Sequence, residues 1–346
     1  MTHLKHTLCW SLNDLNIIEN QTLLKKIISD GDLVIFPTET VYGLGANALD
    51  PKASKNIYKA KGRPSDNPLI VHISNKEDVY KYTKFVSDEA EVLMDTFWPG
   101  PLTLIFEKNE LIPTETTGGL NTVAMRLPRN ELARKLIDLA QVPIAAPSAN
   151  ISGKPSSTAF KHVYEDFNGK VDLIIDGGPS EIGLESTVID MTSDTPTILR
   201  PGYVTKKMIE KALNHAVMDL SDTKPTGLVK SPGMKYTHYK PKGEVTILKG
   251  SIDQMIKFVH QQKNLVNSSI AVICESEYVS LFDAPTRPLG SVHDQKEMAH
   301  NLFSALRDMD LWAVDRIYIH YLSTEDLGYA LMNRLEKAAG YHVIEL

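Results

Sequence analysis

Apolar positions along the chain alternate between helical spacing and short unbroken runs, and together these patterns predict an α/β protein. Leu23, Leu24, Ile27 and Ile28 recur at helical spacing and predict a helix over 20–29, although the residues before it carry no clear pattern. Asp30-Gly31-Asp32 turns the chain into the buried strand Leu33-Val34-Ile35-Phe36. A second helix over 51–60 has Pro51 in its first turn and Ala53, Ile57 and Ala60 on one face, and Gly62 and Pro64 stop it. Leu69-Ile70-Val71 is the next buried strand. A helix over 87–96, the breaker Trp98-Pro99-Gly100-Pro101 and a strand over 102–106 follow. In 122–127 the alternation places Thr122, Ala124 and Arg126 on one face of a strand. A helix over 130–140, strands over 142–146, 172–176, 186–191 and 197–200, and a helix over 206–215 complete a first domain, 1–217.

From 218 to 242 the periodicity fades and Pro225, Gly227, Pro232, Gly233 and Pro241 punctuate a linker, within which 231–239 is rich in ligand-binding groups. Beyond it, in a second domain over 243–346, strands over 245–248, 270–274 and 316–319 alternate with helices over 251–261, 295–309 and 325–338. This alternation predicts a small Rossmann-like α/β layer with a mostly parallel sheet.

Several strands run into small polar loops, where α/β proteins place ligands. Pro37 to Gly45 follows one strand, and Pro147 to Ser156 another. Lys61 and Arg63 lie on a helix-to-strand loop with Ser65 and Asn67. An arginine fork and a lysine point charge on one loop suit a phosphate; taken alone, such a pair is more often a solvated basic turn.

Composition narrows the picture only a little. At 346 residues with 42% hydrophobic and 23% charged residues, this is ordinary globular material for two domains. The net charge of -6 disfavours a nucleic-acid-coating surface while leaving room for a local basic groove. Cys9 and Cys274 stand far apart without metal-ligand spacing, so reduced thiols and no structural zinc are expected. No apolar stretch reaches membrane length and no secretory leader is evident, which points to the cytoplasm.

The usual nucleotide and nucleophile signatures are absent: Gly153-Lys154 lacks the upstream glycine of a P-loop, and there is no Gly-x-Ser-x-Gly. A triphosphate would have to be held by scattered groups: Lys61, Arg63, Asn67, Ser148, Ser156 and Arg200, with Thr122 as a further hydroxyl. Arg126, on an apolar strand, needs either an anionic ligand or an internal carboxylate. His72 ends an apolar strand, where a structural histidine is the commoner case. Glu39 and Glu185 are candidate paired acids whose meeting the sequence does not show.

Taken in order, Pro37-Thr38-Glu39-Thr40-Val41-Tyr42-Gly43-Leu44, Lys61-x-Arg63 with Asn67-Pro68-Leu69, Trp98-Pro99-Gly100-Pro101-Leu102-Thr103, Pro147-Ser148-Ala149-Asn150-x-Ser152-Gly153 and Glu185-Ser186-Thr187-Val188-x-Asp190 resemble the YrdC-type threonylcarbamoyl-adenylate synthases. Ser231-Pro232-Gly233-Met234-Lys235-x-x-His238-Tyr239 resembles the linker of their long, two-domain form.

The resemblance implies a twisted open mixed sheet around a concave pocket, followed by the smaller Rossmann-like domain. It also implies a nucleotidyltransferase that makes threonylcarbamoyl-AMP and pyrophosphate from L-threonine, bicarbonate or carbon dioxide, and ATP with Mg²⁺. That product would supply a downstream tRNA threonylcarbamoyl transferase complex. Carried onto this sequence, Lys61, Arg63, Asn67, Thr122, Ser148, Asn150, Ser156 and Arg200 would hold ATP, with Tyr236 or His238 closing over it from the linker. Lys61 and Arg63 would be the catalytic cations. Thr40, His72, Arg126, Ala146 through its backbone, and Ser186 would hold threonine, while the metal ligands stay unassigned. The competing reading is a double-stranded RNA or tRNA-binding module without catalysis, recognisable by a steep salt dependence.

Overall fold

The computed structural model describes residues 5–221, 239–265 and 268–346. The chain divides into two compact units, one built on Met1–Ser152, Ser156–Glu181 and Glu185–Lys235, the other on Gly153–Pro155, Ile182–Leu184 and Tyr236–Leu346.

In chain order the first unit contains β1 (Leu8–Ser11), α1 (Ile18–Ser29), β2 (Val34–Phe36), β3 (Gly43–Asn47), α2 (Pro51–Lys61), β4 (Ile70–His72), α3 (Asp78–Tyr82) and α4 (Asp88–Phe97). It continues with β5 (Leu102–Glu107), β6 (Thr122–Arg126), α5 (Glu131–Ala140), β7 (Ile144–Ala145), α6 (Phe160–Phe167), β8 (Leu173–Asp176), β9 (Thr187–Asp190), β10 (Thr197–Arg200), α7 (Lys206–Leu213) and β11 (Met218–Asp219). Among the described residues these form an 11-stranded sheet in the order β1-β8-β2-β3-β7-β4-β6-β5-β9-β10-β11. It is mixed: β4 lies parallel to β6, for example, while β3 runs antiparallel to both of its neighbours, β2 and β7.

Helices cover both faces, and β2 shows why its sequence is apolar without alternation. Leu33 and Ile35 point into a core shared with Ile57 of α2 and Phe167 of α6, whereas Val34 and Phe36 point into another shared with Leu24 of α1 and Leu136 of α5. The ends of α2 are set locally: the Asp50 carboxylate accepts from Lys52 N–H at 2.8 Å, and Gly62 closes the helix at φ 62°.

The structure corrects two sequence expectations here. Residues 43–45, expected at the end of a polar ligand loop, belong to strand β3, Gly43–Asn47. Its glycines weaken the strand pattern but fit where the backbone runs close to Phe36, Ile144 and Ala146. Residues 8–11, which carried no pattern, form an edge strand whose parallel partner β8 is remote in sequence, with Leu8 opposite Leu173.

The second unit holds β12 (Glu244–Lys249), α8 (Ile252–Leu265), β13 (Ile270–Cys274), β14 (Thr286–Pro288), α9 (Gln295–Leu311), β15 (Arg316–His320), α10 (Leu327–Ala338) and β16 (Val343–Glu345). Its five-stranded sheet, in the order β14-β13-β15-β12-β16, is parallel at every pairing. Met255 and Val259 of α8 pack on Leu248, Val272 and Tyr318. Among the described residues no helix is long and apolar enough to cross a membrane.

Candidate active site

The loop between β2 and β3 carries polar side chains into the interior of the first unit. Thr38, Glu39 and Thr40 are all buried, and the Thr38 hydroxyl organises the turn. It accepts from the N–H groups of Thr40 and Val41 at 3.2 Å each and donates to Val41 O at 2.6 Å. Arg126, the last residue of β6, reaches this loop from a point 86 residues away in sequence.

Three sides of the Arg126 guanidinium are engaged: Nε donates to Gly100 O at 3.2 Å, Nη1 to Thr40 Oγ1 at 2.8 Å and Nη2 to Glu39 Oε1 at 2.7 Å. Both members of the Arg126–Glu39 pair are almost fully buried. Burial alone raises the Glu39 pKa, but the Arg126 charge and hydrogen bond outweigh it and hold the carboxyl below its ordinary value. The internal ion pair is therefore present. Of five N–H donors on the guanidinium three are used, leaving one on each Nη, the number that a carboxylate's two oxygens require.

His72 sits opposite Arg126 in the β4–β6 ladder. Burial, followed by the Arg126 charge, lowers its pKa to about 3, so the ring is neutral. Nδ1 faces Ile70 O at 3.2 Å and must carry the proton, because a carbonyl can only accept. The ring also stands edge-on to Phe36. Ala146 lies beside them and donates its N–H to Ile70 O at 2.8 Å, so its carbonyl is the backbone group left for a ligand.

A second cluster surrounds Lys61. Expected on a loop, Lys61 instead occupies the last position of α2, with only 2% of its surface exposed. Its Nζ donates to Ser148 O at 2.5 Å and Asn150 O at 2.7 Å, while the Ser148 hydroxyl donates to Asn150 Oδ1 at 2.6 Å. The 147–150 loop is laced to β3 by Leu44 N–H to Pro147 O and Ala149 N–H to Tyr42 O. These bonds connect the Lys61 cluster to the Thr40 loop.

Arg63, half-buried, and Asn67 complete this side. The Tyr58 hydroxyl donates to Asn67 O, and its pKa is pushed up to about 12 by burial, with Arg63 opposing and Asp66 adding. Asn67 is fully buried, yet neither polar atom of its side chain has a hydrogen-bond partner among the described residues. Buried amides are rarely left so, which points to a ligand contact.

Ser186 and Arg200, expected to serve different substrates, bond to each other: Arg200 donates from Nε to Ser186 O at 3.0 Å and from Nη2 to Ser186 Oγ at 3.1 Å. Thr103 Oγ1 lies 2.7 Å from the same Ser186 hydroxyl. Ser156 donates to Glu185 Oε1 at 2.6 Å, so Glu39 and Glu185 have different partners and are not joined as an acid pair. Thr122 opens β6 opposite Glu107, half-buried. Tyr236 and His238 lie outside the described residues.

Sequence reading passed over Thr38 and Thr103 as partners of site residues. Thr38 lies two residues before Thr40, the spacing of a hydroxyl-stabilised turn, whereas Thr103 carries no local signal. Among the described residues there is no group of three or more His, Cys, Asp or Glu that could hold a metal ion.

An open mixed α/β sheet thus carries a buried arginine at the end of β6, bonded to the β2–β3 loop, and a buried lysine at the end of α2. The family model described as "Telomere recombination" matches residues 26–202, and the one described as "Threonylcarbamoyl-AMP synthase, C-terminal domain" matches 204–340. The chain is 48% identical over 324 residues to the threonylcarbamoyl-AMP synthase of Pyrococcus abyssi, covering 92% of this chain and 94% of that one. It is 43% identical over 338 residues to the threonylcarbamoyl-AMP synthase of Bacillus subtilis, covering 96% of each. The crystal structure of Pyrococcus abyssi Sua5 complexed with L-threonine superposes with a TM-score of 0.90 at 44% identity, covering 98% of this chain and 99% of that one. The chain belongs to the threonylcarbamoyl-AMP synthase family, in its long two-domain form.

Proposed function

We propose that this protein is a nucleotidyltransferase that forms L-threonylcarbamoyl-AMP and pyrophosphate from L-threonine, bicarbonate or carbon dioxide, and ATP, for modification of tRNA. The observation that carries the threonine half is Arg126, a buried fork with one donor left on each Nη beside the Thr40 hydroxyl. Its two free donors take the substrate carboxylate, and Glu39 and Gly100 O fix the plane of the fork. Ala146 O and the neutral His72 ring lie beside this position as further acceptors. Ser186, held by Arg200, would add its hydroxyl to the same site.

The threonine amine, once neutral, adds to carbon dioxide and releases a proton, or condenses with bicarbonate and releases water. A carbamate oxygen then attacks the α-phosphorus of ATP, the bond to the β-phosphate oxygen breaks, and pyrophosphate leaves. Such a transfer needs positioning and charge neutralisation more than a protein base. Lys61, Arg63 and Arg200 supply positive charge, while Asn67, Thr122, Ser148, Asn150 and Ser156 supply polar contacts to the nucleotide. The carbonyls of Ser148 and Asn150 hold the Lys61 ammonium in place, which spares the reorganisation that a mobile lysine would need. Mg²⁺ is proposed to arrive on the ATP phosphates. The cytoplasm and hand-over to a transferase complex belong to the same reading.

The test is pyrophosphate release from ATP and bicarbonate with L-threonine against 2-aminobutyrate. Arg126→Lys keeps a charge beside Glu39 but loses the fork. It is expected to lower kcat/KM for threonine by roughly 10²-fold, the cost of a charge-assisted bidentate contact. Absence of threonine-dependent release from the folded wild-type protein with Mg²⁺ would overturn the reading. RNA binding with a steep salt dependence would then take its place.

A further inference from the structure

We propose that Tyr58 is a positioning residue for the nucleotide half of the reaction: it staples the 62–67 loop to α2 at both ends and so holds the Asn67 amide ready for the nucleotide. This inference rests on the functional reading above and goes beyond it by assigning what fixes the loop that carries two of its nucleotide contacts, Arg63 and Asn67.

Three polar side chains lie along the buried face of α2 at the spacing i, i+4 and i+7: Ser54, Tyr58 and Lys61, exposed by 0%, 3% and 2%. A polar stripe inside a core costs stability unless its members are bonded, and each of these bonds a different loop. The Ser54 hydroxyl lies 2.8 Å from Thr116 Oγ1, the Tyr58 hydroxyl donates to Asn67 O at 2.8 Å, and Lys61 Nζ reaches the carbonyls of Ser148 and Asn150. One face of α2 therefore gathers the 62–67, 113–120 and 147–150 loops.

Tyr58 is the member that meets its loop twice. Its carbonyl accepts the Arg63 N–H at 3.0 Å, just after Gly62 closes the helix, and its hydroxyl donates to Asn67 O at the far end of the loop. Between these anchors lie Pro64, with its fixed φ, Ser65 and Asp66. Beyond Asn67, the Leu69 N–H donates to Thr116 O at 3.0 Å. Gly118 runs so close that an added Cβ would lie 3.1 Å from Pro68 N and 3.2 Å from Asn67 N and C. The main chain of Asn67 is thus held by a hydroxyl and by close packing, while neither polar atom of its side chain has a hydrogen-bond partner among the described residues. A fixed main chain beneath an unsatisfied buried amide is the arrangement that a preorganised ligand contact requires. The tie to Arg63 is main chain and survives any side-chain change, so removing the Tyr58 hydroxyl frees the Asn67 end alone.

Tyr58→Phe removes one oxygen and keeps the ring in its core. Calorimetry on the full-length protein is expected to show ATP binding weakened about tenfold and L-threonine binding changed by less than about twofold. In an Asn67→Ala background the same substitution is expected to change ATP affinity by less than about twofold, because the amide it positions is gone. A general loss of packing would lower both affinities and would add to the effect of Asn67→Ala. Gly118→Ala disturbs the same backbone, leaves Tyr58 in place and is expected to give the same split between ATP and threonine. The wild-type protein supplies a reading that needs no variant: the bonded amides of Arg63 and Leu69, on either side of Asn67, are expected to exchange their hydrogens slowly before ATP is added.

The proposal is overturned if folded Tyr58→Phe binds ATP like the wild type, if its loss is the same with and without the Asn67 amide, or if Arg63 and Leu69 exchange freely until ATP binds. Each of these results leaves the functional reading in place. Wild-type protein that binds no ATP in the presence of Mg²⁺ would overturn that reading and this inference with it.

Discussion

At the scale of the residue, neighbours decide chemistry that side-chain type leaves open. His72 has an ordinary value near 6.5, yet burial and then the Arg126 charge bring it to about 3, so the fold holds it neutral. A depressed histidine contributes stability that is complete above the unfolded pKa and is lost as pH falls below it, because only the unfolded chain then takes up the proton. The window from about 6.5 down to 3 therefore belongs to His72, at roughly 1.4 kcal/mol per pH unit. The window of Glu39 begins lower and overlaps the acid end of this one. Its lowered value makes its contribution full above the ordinary carboxylate pKa and lost only as pH falls through the lowered one. Urea unfolding at pH 7.0 and 5.0 separates the two: the wild type should lose about 2 kcal/mol more than His72→Asn over that interval. Equal losses in the two proteins would contradict the neutral, buried ring.

At the scale of the element, the same residue type stands at two site-bordering positions for different reasons. Gly62 closes α2 at φ 62° with nothing within 4 Å of where a Cβ would lie, so its requirement is purely conformational. Gly45 in β3 has no such φ, but a Cβ there would lie 2.7 Å from both Ile144 Cγ2 and Phe36 Cε1. Gly62→Asn, with a residue that tolerates the left-handed region, is expected to change stability by less than about 0.5 kcal/mol, and Gly62→Ala to cost about 1 kcal/mol. Gly45→Ala is expected to cost about 1–3 kcal/mol by overpacking. Because Leu44 of β3 and Tyr42 just before it hold the 147–150 loop, Gly45→Ala should also weaken nucleotide binding. Denaturant midpoints and ATP binding measured on the three variants check this. A neutral Gly45→Ala would mean that the close approach of β3 is not needed.

At the scale of the whole molecule, each unit has its own sheet and its own cysteine. Cys9 lies exposed on edge strand β1, whereas Cys274 is buried at the end of β13, where burial and then the Glu275 charge push its thiol up to about 12. Cys274 is thus inert while its sheet is closed. A thiol reagent at pH 8 should titrate one thiol per native chain, the second appearing only with denaturant that opens the five-stranded sheet. Two fast thiols in the native protein would be inconsistent with this core.

The sequence by itself determined the α/β class, the division into a larger and a smaller layer, and most helices and buried strands, because apolar periodicity records which faces are covered. Family motifs in order also pointed to the residues of the candidate site. Tertiary structure alone decided which of those residues meet. Arg126 and Thr40 touch across 86 residues, Lys61 is a buried helix end tied to Ser148 and Asn150, and Arg200 belongs with Ser186. Strand β1 was illegible because its pairing partner is remote, and β3 because its glycines answer to Phe36 and Ile144 across the sheet. The neutral state of His72 is likewise set by groups brought close only on folding. Periodicity is a local record of burial, whereas a hydrogen bond or a pKa depends on distance in space, which chain order does not encode.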